Sequence, residues 1–321
     1  MNFKKVLQYI FALAIIVAVG YFFYLESKKN WDAIRAYHFA IDFYYIAASI
    51  IVMMIGFLME TYIWQILVND YLTNKLNFLV SIALYNTTAM LKYMPGKIWT
   101  YTAQIALMSS KGISKAVLIY INIICFICLT FVSAIYVLYY YFFYLQMTPW
   151  GISILIFILL IFLDFVFIIW NTPIINYLII HPINRIFKRE IRPIKMRKLL
   201  LVYVQLLYLF AYVPAAIGMY FLAKGIGVEI SFFNILPIIA TLSLSLVLGY
   251  IAFFSPGGLG IREGTMFVML KQFSNIKTAL ILPIAMRLIY IIIELLLGII
   301  GILVGMKYGY FSNQVKNRQT Q

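Results

Sequence analysis

Ionisable side chains are scarce in this chain, so each one inside an apolar stretch is a candidate for chemistry. Four interrupt otherwise uncharged segments: Glu60, Asp164, Arg287 and Glu294. Charge in hydrocarbon is costly, and residues of this kind serve substrate pathways, proton relays or buried ion pairs. Arg287 and Glu294 lie seven residues apart, two turns along one helical face and too far for a close contact. Each therefore needs a partner from another segment, and Arg287 could pair with Glu263 or with a lipid phosphate. Asp164, mid-segment and apolar-flanked, calls for a buried polar partner or a proton-carrying role. Glu60 is counted with these buried groups. Its neighbours Tyr62 and Trp64 suit a headgroup belt, however, and point to an interfacial position.

Backbone supplies the second candidate. Ser255-Pro-Gly-Gly-Leu-Gly-Ile-Arg-Glu-Gly264 follows directly on the membrane-length apolar run Phe232–Phe254. Irregular backbone at that depth must be enclosed by protein or line a watery cavity, and broken helices form substrate sites in transporters. Gly257, Gly258 and Gly260 tolerate unusual angles and let a ligand approach closely. Pro256 suits a first helical turn, so Ser255 reads as the N-cap, with the helix starting at Pro256 or just after Gly260. Two readings stand side by side. The free amides could cradle a phosphate or carboxylate, or the segment is a tight turn whose helix start Glu263 stabilises through the dipole. Arg262 adds a cation beside it.

A related pattern occurs upstream at Met94-Pro-Gly-Lys-Ile-Trp-Thr-Tyr-Thr-Ala-Gln104. Each Pro-Gly opens about four turns of chain before a long apolar run resumes, and such duplications recur in transporters. Lys97, Trp99 and Tyr101 fit either anchors at a membrane surface or substrate contacts. The candidate substrate-contacting set is thus Pro95, Gly96, Lys97, Gln104, Gly257, Gly258, Gly260, Arg262, Glu263 and Arg287.

The elements that must position these residues are transmembrane helices. The 321 residues are 65% hydrophobic and 11% charged, with a mean hydropathy of +0.98, against ~25% charged in soluble domains. Runs able to span a bilayer, which takes ~20 apolar residues, occur at Val6–Tyr24, Phe43–Val68, Ala116–Phe143, Ile152–Trp170, Leu199–Leu222, Phe232–Phe254 and Ala279–Gly305. A shorter run, Leu76–Leu91, either spans or re-enters. The expected fold is an all-α polytopic bundle of about seven to eight spans with two Pro-Gly breaks. It forms a single integral membrane domain, 1–321. Repeat halves 1–150 and 199–306 are joined by the span 152–170 and the basic loop 171–198.

Net charge is +15, yet no globular basic surface exists for nucleic acid. The cations fall between spans. Asn171–Lys198 carries seven of them against Glu190 and marks the cytoplasmic side. Counting outward puts Tyr144–Trp150 outside, and Lys92–Lys115 and Phe254–Lys277 inside. Lys4 and Lys5 before the first run, with no convincing cleavage site, indicate a retained span in a multi-pass cytoplasmic-membrane protein. A re-entrant Leu76–Leu91 keeps the N-terminus inside, and a spanning one puts it outside.

Hydrolytic chemistry has no foothold here: H-E-x-x-H, G-x-S-x-G and phosphate-loop patterns are all missing. Cys125 and Cys128 form C-x-x-C in an uncharged span without neighbours to stabilise a thiolate. His38 and His181 add no ligand cluster, so no metal or cofactor is expected.

With those residues in view, the chain resembles the lysylphosphatidylglycerol synthase transmembrane, or flippase-like, family. Pro256-Gly-Gly-Leu-Gly-Ile-Arg-Glu263 is close to that family's P-G-G-L-G-x-x-E signature. Pro95-Gly96 with Gly112-Ile-Ser114 is similar to its first motif, and Arg287 fits its pattern. Where the family often follows a glycine-rich turn with arginine, this chain has Lys97-Ile-Trp99 and Gln104. The resemblance implies translocation, or assisted translocation, of a phospholipid or lipid-linked glycan. It implies no catalytic residues, since the fused aminoacyltransferase domain of some members has no room before Gln321. A non-transporting scaffold in a polysaccharide- or lipid-synthesis complex is the competing expectation. The expected partners are the lipid substrate and either a second copy or a synthesis enzyme.

Overall fold

The computed structural model describes residues 41–93, 98–109, 113–146, 149–175, 194–252 and 255–307, with the single positions 28, 177 and 181. The run Val6–Tyr24, most of the basic loop, and Pro95, Gly96 and Lys97 lie outside the described residues. Nine α-helices and no strand occur among them: α1 (Phe43–Asn69), α2 (Phe78–Ala89), α3 (Ile98–Ser109), α4 (Lys115–Tyr139), α5 (Trp150–Ile175), α6 (Lys198–Gly225), α7 (Ile235–Ile251), α8 (Ile261–Leu270) and α9 (Ile276–Lys307). Six helical stretches are long and apolar enough to cross a membrane. The fold is the expected polytopic helical bundle.

Helix lengths follow from local chemistry. Asn77 caps α2 by accepting from the Val80 amide at 2.8 Å, and the helix gives way to the short turn Met90–Tyr93 after Ala89. At ~1.5 Å per residue, α2 reaches only about 18 Å, short of a ~30 Å hydrocarbon core. It re-enters rather than spans. α3 is equally short, so α2 and α3 form the two arms of a hairpin.

Contacts between helix ends fix the relative directions. The Asp42 amide donates to the Gly225 carbonyl at 2.9 Å, while Asp70, just past the other end of α1, pairs with Arg197. Helices α1 and α6 therefore run antiparallel along their whole length. Tyr71 adds a 2.7 Å hydrogen bond to the Lys195 carbonyl. Burial pushes its hydroxyl up, so it remains a donor. The start of the first hairpin thus lies on the face that carries Arg197 and the basic loop.

The second hairpin, α7–α8, opens on the other face. Asn234, before α7, donates to the Phe273 carbonyl at 3.4 Å and accepts from the Tyr144 hydroxyl at 3.0 Å. Thr278, at the start of α9, donates to the Glu229 carbonyl at 3.0 Å. Both ends of this hairpin therefore sit with the far end of α6, opposite the basic loop. This corrects the expectation that Phe254–Lys277 shares the side of Asn171–Lys198. It also shows that Phe232–Phe254, although of spanning length, is one arm of a returning hairpin.

The aromatic run Tyr139–Tyr144, which reads as a headgroup belt, exposes Tyr139 and Tyr144 in that way but turns Tyr140 inward to tie the base of that hairpin. Tyr140 is fully buried and donates to Gln272 at 3.0 Å. Within the bundle α2 lies along α9 and α7 along α4, and the short turns at the two hairpin tips, Met90–Tyr93 and Pro256–Gly258, touch each other. The element order long–broken–short–long occurs twice, as α1–α4 and α6–α9, entered from opposite faces. Helix α5 is peripheral. It is held to α6 by a 2.6 Å hydrogen bond from Gln205 to Asp164, which gives Asp164 its buried polar partner.

Candidate functional site at the hairpin tips

The glycine turn does its work through backbone angles. Gly257, Gly258 and Gly260 have φ of 58°, 74° and 83°, in the left-handed region that costs other residues roughly 1–2 kcal/mol. The turn lets α8 begin at Ile261, with the Gly260 amide donating to Glu263 Oε2 at 2.7 Å. The cradle for an external anion is thereby filled by the protein's own carboxylate. Ser255 is not the N-cap expected from its position, since its hydroxyl donates to the Leu259 carbonyl at 2.7 Å. Of the two readings of this segment, the tight turn describes its backbone.

What the turn does for a ligand is to place arginines. Arg287, in the middle of α9, donates from Nη2 to the Gly257 carbonyl at 3.0 Å. Its Nε lies 3.5 Å from Glu263 Oε1, so the pairing of Glu263 with Arg287 is present. Arg262, one residue into α8, runs between Gly249 and Gly258. A Cβ on Gly249 would stand 2.5 Å from Arg262 Nε, and one on Gly258 would stand 3.0 Å from it and 3.1 Å from Gly249 Cα. Only glycine at both positions leaves that channel open. The guanidinium carbon lies 5.5 Å from the centre of the Tyr250 ring, a cation–π distance.

Two adjoining cavities of about 120 and 70 Å³ meet at the hairpin tips and share Glu60, Lys92, Arg262 and Glu294 in their walls. Lys92, on the first hairpin's tip, pairs with Glu294 at 2.6 Å. Two charged residues within the apolar stretch of α9 therefore hold one hairpin each: Arg287 the second, Glu294 the first. Around the cavities three cations, Lys92, Arg262 and Arg287, face three carboxylates, Glu60, Glu263 and Glu294. Among the described residues, no group of three His, Cys, Asp or Glu is arranged to hold a metal ion.

Glu60 is not interfacial. It lies near the middle of α1 and lines both cavities, while Trp64 is 1% exposed and packs 5.5 Å from the Tyr85 ring. Gln104 also lines the first cavity and accepts from Asn122 at 3.1 Å. Tyr101 and Phe126, 41% and 37% exposed, stand at the first cavity's outer rim. That cavity opens sideways toward the lipid past those two rings, whereas the second is walled entirely by buried or half-buried residues. Trp99 is exposed on the surface, as an anchor would be. Asp164 takes no part in the site.

Sequence reasoning missed Lys92, Asn122 and Tyr250. Lys92 was readable as a charge three residues before a Pro-Gly break, much as Arg262 and Glu263 follow the other break within six residues. Nothing in one sequence distinguishes Asn122 and Tyr250 from other polar residues in spans.

A family model described as the lysylphosphatidylglycerol synthase TM region matches residues 9–298, most of the chain and both hairpins. No curated protein matches the chain.

Proposed function

We propose that this chain, which belongs to the lysylphosphatidylglycerol synthase TM-region family, moves the headgroup of an anionic phospholipid or lipid-linked glycan through the cavity at its hairpin tips. The observation that carries this reading is Arg262: a buried guanidinium facing both cavities, with no carboxylate paired to it among the described residues. An arginine left in this way at membrane depth is costly unless something negative visits it, and its planar fork suits a phosphate bidentately.

The hairpins supply the route. Because they enter from opposite faces and meet at the tips, withdrawing one exposes the cavity to one side while the other keeps it closed. Inverted repeats that rock around a central site work in this way. The sideways opening at Tyr101 and Phe126 suits a substrate whose acyl chains stay in lipid while its headgroup crosses. The side with Asp70, Arg197 and the basic loop is read as cytoplasmic, in a cytoplasmic membrane. No covalent step is required, and we read the protein as a non-enzymatic translocator.

Reconstitution tests the reading directly. Vesicles containing the purified protein and a trace of fluorescent phosphatidylglycerol or polyprenyl phosphate are treated with a membrane-impermeant quencher. Translocation leaves nearly all of the probe quenchable over time, and Arg262→Gln slows the quenching of the inner-leaflet fraction about ten- to a hundredfold. Vesicles in which the wild-type protein moves no headgroup would favour the scaffold reading.

A further inference from the structure

Two charged side chains line both cavities without a hydrogen bond or ion pair to any described residue: Arg262 and Glu60. The other four charges are committed in pairs, Lys92 to Glu294 at 2.6 Å and Arg287 to Glu263 at 3.5 Å. Arginine holds its proton at any pH a cell meets. Glu60 is therefore the group that can change charge without breaking a contact already made.

Its surroundings can be read from every element packed against it. The charged groups around it are Lys92 on the first hairpin's tip, Arg262 on α8, and Arg287 and Glu294 on α9. The remaining titratable neighbours are Tyr85 on α2, Cys125 on α4, Tyr208 and Tyr212 on α6, Tyr250 on α7 and Tyr290 on α9. These phenols and the thiol are neutral at physiological pH. Counted as ionised, the protein's own groups at the site carry three positive and three negative charges and sum to zero. A phosphodiester arriving at Arg262 leaves one negative charge uncompensated in a medium that penalises it. One proton on Glu60 restores neutrality.

We propose that Glu60 is a proton-binding site coupled to headgroup binding, so that one proton and one phosphodiester anion cross together. This rests on the translocation reading above and adds its driving force. The balance is complete: water on the loading side supplies the proton, the carboxylate becomes a carboxylic acid, and both ligands leave on the other side. The lipid then moves in the direction of the proton, from the acidic to the alkaline leaflet.

The test uses full-length protein in phosphatidylcholine vesicles with a trace of fluorescent phosphatidylglycerol, with membrane potential clamped by potassium and valinomycin. At one unit of pH difference the leaflet ratio should settle at about ten in favour of the alkaline side, since each pH unit is a tenfold term in the equilibrium. An imposed potassium potential at equal pH should leave the ratio near one. Glu60→Gln should abolish the response to the pH gradient whatever its rate of exchange, and Glu60→Asp, which keeps a titratable carboxyl, should retain it. Wild-type exchange that ignores the pH gradient, follows the potential, or keeps its gradient response in Glu60→Gln would overturn the coupling while leaving translocation standing. Failure to move the probe at all would remove the translocation reading and this inference with it.

Discussion

The two hairpins follow one plan and are secured by different chemistry. The first has two arms of twelve residues, and its tip reaches the site through one flexible lysine, Lys92, held by Glu294. The second has arms of 17 and 10 residues and fixes its tip through backbone: three glycines at positive φ, a carbonyl accepting from Arg287 and an amide given to Glu263. Lysine is a mobile point charge, whereas an arginine threaded between two glycines is fixed in place. The difference teaches that the second hairpin sets the geometry of the site, while the first contributes charge that can let go. A gate that opens first should be the one held by the looser tether.

That contrast can be broken by substitution. The largest effect is expected from Gly258→Val, which combines the left-handed backbone penalty with a clash against Arg262 and the Gly249 backbone. Translocation should fall by about a hundredfold, corresponding to roughly 3 kcal/mol, with the protein still inserted at near wild-type levels. Equal loss of inserted protein and activity would reduce the turn to a structural role.

Next comes Arg262→Gln. Hydrogen bonds to charged groups contribute roughly 1.5–3 kcal/mol, so losing one should slow anionic-lipid movement by about ten- to a hundredfold. The matching change on the first hairpin, Lys92→Gln, should be milder in the same assay. A larger loss at Lys92 than at Arg262 would reverse the assignment of roles.

The Glu263–Arg287 pair offers a finer measurement. Glu263→Gln and Arg287→Gln should each impair activity, and the double variant should recover about 0.5–3 kcal/mol relative to the sum. Strict additivity would mean that the 3.5 Å contact carries no coupling. Smallest of all, Tyr140→Phe removes the hydrogen bond to Gln272 at the second hairpin's base. It should lower thermal stability by about 1 kcal/mol, seen as a small drop in Tm, with the rate of translocation nearly unchanged.

Much of the architecture was legible in the residues. Apolar length marked the spans, Pro-Gly marked both breaks, and a lone Arg287 in a span called for the acid that Glu263 supplies. Sidedness was not legible, and Arg262 shows why. Counting outward takes Phe232–Phe254 as a full span, and the cations that follow it, Arg262, Lys271 and Lys277, do nothing to contradict the result. Arg262 is 6% exposed inside the bundle and says nothing about which side a loop faces. Lys92 misleads in the same way on the other hairpin. Glu60 failed for a different reason. Tyr62 and Trp64 have the composition of an interface belt, but Trp64 faces inward against Tyr85, and a single sequence does not say which side of a helix its aromatics cover.

Opposite entry of the two hairpins is the central claim, and cysteine accessibility tests it most directly. In a chain with Cys125 and Cys128 replaced by alanine, Lys271→Cys marks the base of the second hairpin and Asn74→Cys the approach to the first, both exposed positions. The account predicts that a membrane-impermeant thiol reagent added to intact cells labels Lys271→Cys, and labels Asn74→Cys only after the cells are opened. Labelling of both from the same side would contradict it.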